Sequence, residues 1–121
     1  MTAIPRLTLL ACAGATLATG LWAGLARLGW DLPRGSSVAG LHGPLLVSGV
    51  FGTLIALERA VALGRAWAFL GPVASAAATV ALLAGLPPEA AGWGYVLAAT
   101  ALCAASMRIV QMQPALFTVS L

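Results

Sequence analysis

The chain has 121 residues, 61% of them hydrophobic and 7% charged, with a mean hydropathy of +1.01. Soluble domains carry roughly a quarter charged residues, so this composition excludes a water-facing globule. Six arginines oppose Asp31, Glu58 and Glu89 without a lysine or a basic run, which excludes a nucleic-acid surface.

The first hydrophobic block predicts a span over 7–28, closing on Arg27, Gly29, Trp30 and Asp31. A tryptophan there suits the headgroup zone, where its ring is half apolar and half wet. Leu9-Leu10-Ala11-Cys12 has the outline of a lipoprotein box. The apolar stretch before it is shorter than the usual h-region of about 7–15 residues, so the segment reads as a retained span. Cys12 and Cys103 both lie within hydrophobic blocks and read as free thiols packing like small hydrophobes.

Residues 31–37 are turn chemistry, and Ser36 or Ser37 is placed to cap the helix that follows. The second span is expected over 38–63. Gly64 and Arg65 leave only a tight connection to a third span over 66–86, which forces an antiparallel hairpin. Pro87-Pro88-Glu89 ends that helix, because proline lacks an N–H and clashes with the preceding turn. A fourth span follows over 92–110, with Trp93 and Tyr95 at one interface and Arg108 near the other.

Residues 115–121 open another apolar run, which as a helix reaches only about 10 Å and cannot cross alone. The expected fold class is therefore all-α: an integral membrane bundle of about four transmembrane helices, forming the N-terminal part of a larger multi-span protein. Arg6, Arg59, Arg65 and Arg108 fall on one side, with Arg27 and Arg34 on the other. That imbalance predicts a cytoplasmic N-terminus.

Chemistry concentrates in the second span. At about 100° per residue, His42 shares a face with Gly49, Thr53, Ala56, Ala60 and, less closely, Gly64. All but the histidine are small, and such a face admits the close approach of another backbone or a flat ligand. Three readings stand open: close helix packing with His42 hydrogen-bonded at the interface, His42 as a metal or haem ligand with the haem ring along the small stripe, or a protonatable or pore-lining histidine.

Phe51, Glu58 and Arg65 occupy the opposite face. Glu58 is expected to pair with Arg65 or with Arg108 of the fourth span, since an unpaired charge in lipid is costly; a proton-relay or substrate-binding carboxylate is the alternative. Cys103, Met107 and Met112 are scattered along a hydrophobic helix and read as packing rather than a copper site. The sequence has no CxxC, HExxH, phosphate-cradling glycine loop or serine elbow.

His42-Gly43-Pro44-Leu45-Leu46, opening a transmembrane helix, resembles the His-Gly-x-x-Met motif of haem–copper oxidase subunit I. It is also similar to the NnrS family of bacterial multi-span membrane proteins, in which a helix begins His-x-His-Glu-Met with a glycine seven residues after the first histidine. Gly49 stands at that spacing from His42. Pro44, Leu45 and Leu46 occupy the places of the second histidine, the glutamate and the methionine.

The resemblance implies a bacterial inner-membrane protein that binds haem through His42, with the second axial ligand supplied by a later segment or another subunit. The alternatives are a cofactor-free assembly subunit held by its small-residue faces, and part of a small-solute transporter in which Glu58, Arg59 and Arg108 line a path. The expected partners are the lipid bilayer and further helices of the same protein or another membrane subunit.

Overall fold

The computed structural model describes residues 3–114, which form helices and no strand. Helix α1 covers Ala3–Arg27, α2 Gly35–Leu63, α3 Ala66–Leu83 and α4 Pro88–Met112. All four are long and apolar enough to cross a membrane. Residues 115–121, expected to open a fifth span, lie outside the described residues.

The helices run antiparallel in chain order. A Cβ placed on Gly49 of α2 would meet Thr16 of α1 and Thr79 of α3. One level along, Gly71 of α3 faces Ala56 of α2 and Ala98 and Ala101 of α4. Gly94 of α4 lies so close to α3 that its Cβ would sit 2.7 Å from Ala78 Cβ. Glycine and alanine at these crossings let the backbones approach, which is how apolar helices gain packing energy without water to expel. Towards the end that holds the start of α1, Leu9, Leu57, Ala60, Leu63, Phe69 and Ala105 join in one buried cluster. Large apolar side chains such as Leu21, Trp22, Phe51 and Trp93 instead point outward, an exterior suited to lipid rather than water.

The helix ends follow backbone rules that refine the expected boundaries. Gly29 and Gly85 both take φ +93°. Trp30 N–H donates to Leu25 O and Gly29 N–H to Ala26 O; Leu86 N–H donates to Ala81 O and Gly85 N–H to Leu82 O. These are paired Schellman closures, each needing a residue at ease in the left-handed region. The third helix therefore stops at Leu83 rather than at 86.

The fourth begins at Pro88 rather than at 92, because proline suits the first helical position and Glu89 favours the positive N-terminal dipole. No serine caps α2: Arg34 takes the preceding position at φ 57°, without a side-chain cap. Ser37 Oγ donates back to Arg34 O at 2.7 Å instead.

Candidate functional site

Pro44 lies inside α2, where its missing N–H and its ring disturb the regular ladder. Leu45 N–H turns back to His42 O, and residues Leu45–Phe51 then wind as a wide π-helical stretch ending with Gly52 N–H on Val47 O. Wide turns of this kind recur at functional sites. This one lies halfway along α2 and separates two polar features, one facing α3 and α4 and the other facing α1.

The first feature is a chain of hydroxyls. Thr53, Ser75 and Thr79 are 1%, 0% and 2% exposed. Thr53 Oγ1 donates to Ser75 Oγ at 3.0 Å, and Ser75 Oγ donates to Ser48 O in the wide turn at 2.7 Å. Thr79 Oγ1 spends its proton on Ser75 O at 2.9 Å. Tyr95 must therefore be the donor in its 2.9 Å contact with Thr79 Oγ1. Each buried hydroxyl among the described residues has a partner, as an apolar setting demands. Beside it, Val47, Ser48, Gly52, Ser75, Tyr95 and Leu102 border a cavity of about 190 Å3.

The second feature holds His42. A groove of about 610 Å3 runs between α1 and α2, lined by Gly20, Gly24, Arg27, His42 and Leu46 among others; small-molecule sites commonly occupy roughly 300–1,000 Å3. Nδ1 of His42 is enclosed and has no hydrogen-bond partner among the described residues. The imidazole is only partly buried, which leaves Nε2 as the nitrogen able to meet a ligand in the groove. Nothing approaches the Cβ position of Gly24 within 4 Å, so this wall of α1 is bare backbone. Arg27, exposed in the last turn of α1, supplies the groove's positive charge.

The small face divides between these features. Gly49, Thr53, Ala56 and Ala60 are buried, with Thr53 and Ala56 turned to α3, so no flat ligand lies along that stripe. Gly64 is not part of the packing: it is exposed and turns the chain at φ 65°. Nor does the expected ion-pair network form among the described residues. Glu58 and Arg65 are exposed, and Arg108 donates to Gln111 Oε1 at 3.0 Å. The physical reason is position: Glu58 stands on the outer side of α2, a few residues from its end, while the inward place falls to Arg59, 8% exposed.

Glu58, Arg59 and Arg108 line neither the Ser48 cavity nor the His42 groove. Cys12 and Cys103 are free thiols, and no three His, Cys, Asp or Glu residues gather as a metal-ligand set among the described residues. The sequence reading missed Ser48, Ser75, Thr79 and Tyr95. Their signal was the i, i+4 pair Ser75 and Thr79 facing hydroxyl residues on α2.

A family model described as a domain of unknown function, DUF8744, matches residues 6–120. No curated protein matches the chain, and no solved structure does.

Proposed function

We propose, for a chain that belongs to the DUF8744 family and takes no assigned activity from it, an NnrS-like protein of the bacterial inner membrane that binds haem through His42. The observation that carries this reading is the α1–α2 groove, where the one histidine of the chain meets a glycine wall and an arginine. Gly24 offers a flat approach to a planar ring, while Gly20 is covered by Leu46. Nε2 of His42 would hold the iron, and Arg27, which lines the same groove, would offer a propionate a charge-assisted partner. Haem, when bound, supplies an iron centre able to take up an electron or a small ligand.

The fit is incomplete in one respect. A ligating histidine ordinarily donates its other ring N–H to a carbonyl or carboxylate, and loss of that support weakens binding about 10–100-fold. Nδ1 of His42 has no such acceptor among the described residues, so haem would be held weakly unless a further helix supplied the acceptor or a second ligand. The outward apolar side chains are consistent with such neighbours, either later helices of the same protein or another membrane subunit.

A second reading, a cofactor-free assembly subunit, is favoured by the hydroxyl chain, which closes α2, α3 and α4 together without a ligand. Haem titration of the detergent-purified chain separates the two. The proposed function requires a Soret shift that is lost in His42→Ala and weakened in Arg27→Gln. Equal spectra for wild type and His42→Ala would leave the assembly reading standing.

A further inference from the structure

The charges of the chain are sorted between the two ends of the bundle. Arg27 and Arg34 share one end with Asp31 and Glu89 and are balanced by them. Arg6, Arg59, Arg65 and Arg108 share the other with Glu58 alone, so the whole formal net charge of +3 resides there. Each of Arg6, Arg59 and Arg108 stands about 4.5–6 Å inside its helix end, and Arg65 lies in the α2–α3 connection. The antiparallel order brings all four to one end of the bundle.

Two of these arginines are not simply solvated. Arg59 is 8% exposed and forms no ion pair or hydrogen bond with the described residues. Arg6 holds its guanidinium over the Phe69 ring, 5.8 Å from the centroid, while its Nε is enclosed and has no hydrogen-bond partner among the described residues. The ring contact is at the outer edge of cation–π range and does not replace a counter-ion. Glu58, the one carboxylate at this end, is exposed and pairs with neither. An arginine largely covered by protein without an anion beside it is costly, and both stand near the end of a span, where a long side chain reaches toward the headgroups.

We propose that this end of the bundle binds the phosphate-bearing headgroup of an anionic phospholipid, with Arg6 and Arg59 as the principal ligands and Arg65 and Arg108 adding attraction at the rim. The proposal rests on the membrane-spanning reading of the four helices and is independent of haem. Guanidinium suits the role because its fixed fork of donors matches phosphate oxygens, and because it is more weakly hydrated than an ammonium. A basic residue near an anionic membrane surface contributes about 1 kcal/mol, or about a fivefold change in occupancy.

The test is native mass spectrometry of the full chain released from nanodiscs of equal parts phosphatidylglycerol and phosphatidylcholine. Wild type should retain phosphatidylglycerol about fivefold or more over phosphatidylcholine. Arg59→Gln and Arg6→Gln should each lower that enrichment by about fivefold, and Arg34→Gln, at the balanced end, should leave it unchanged. Should Arg59→Gln fail to fold, Arg6→Gln and the charge-keeping Arg59→Lys carry the comparison, with Arg59→Lys keeping most of the enrichment.

Equal retention of the two lipids overturns the proposal, as does an equal loss in Arg34→Gln. Displacement of the lipid by inorganic phosphate would assign the site to a free anion instead. A chain that enters neither disc overturns the membrane reading and the proposal with it.

Discussion

Ser75 is the hinge of the hydroxyl chain, and Ser75→Ala tests the packing account at one atom. The serine donates to Ser48 O and accepts from Thr53 Oγ1, at 2.7 and 3.0 Å, from a side chain that is 0% exposed. Interhelical hydrogen bonds in apolar surroundings average about 0.6 kcal/mol, so losing both costs about 1.2 kcal/mol. The Thr53 hydroxyl, 1% exposed, would also be stranded, and an orphaned buried donor adds about 1 kcal/mol. The expected destabilisation is about 2 kcal/mol.

Thr53→Val removes only one bond and should cost about 0.6 kcal/mol. Once Ser75 is alanine, Thr53→Val removes the stranded group and no further bond, so the double variant should fall short of the summed single effects by about 1.6 kcal/mol. Reversible unfolding in mixed micelles with rising SDS, followed by far-UV circular dichroism, measures all three. Additive effects, or a Ser75→Ala loss below about 0.5 kcal/mol, would refute the coupled network.

Gly94→Ala should destabilise by about 1–3 kcal/mol, since the new methyl would lie 2.7 Å from Ala78 Cβ between two backbones that cannot yield independently; the same unfolding assay reads it. Gly14→Ala, with nothing within 4 Å of the new methyl, is its control and should be neutral or mildly stabilising. Gly85→Ala should cost about 1–2 kcal/mol, because φ +93° suits glycine and not an L side chain. Gly24→Leu should keep the unfolding midpoint yet lower haem occupancy in a Soret titration, because it fills the open wall of the His42 groove.

Much of the architecture was legible because the signals for a span and a tight hairpin are strong and local. The four apolar blocks gave four helices, and Gly64-Arg65 gave the α2–α3 turn. Gly49, Thr53, Ala56 and Ala60, grouped on one face by their helical spacing, are buried. His42 was placed with them by counting at a constant 100° per residue. The wide turn after Pro44 breaks that count, so His42 faces the α1 groove while Thr53 faces Ser75.

The Glu58 network failed for a different reason: charge spacing along a sequence does not say which of two adjacent residues turns inward. Arg59 does, and Glu58 remains outside. The Schellman ends at Gly29 and Gly85 depend on backbone φ that a hydropathy pattern does not encode. The hydroxyl chain joins residues 48, 53, 75, 79 and 95, and pairing them required knowing how three helices cross.

The central functional claim is ligation of haem iron by His42, and resonance Raman spectroscopy of the haem-loaded, reduced protein reads that bond directly. The account predicts an iron–imidazole stretching band in wild type, unchanged in Ser75→Ala and absent in His42→Ala. The same band at the same intensity in His42→Ala, or no such band in wild type, would contradict it.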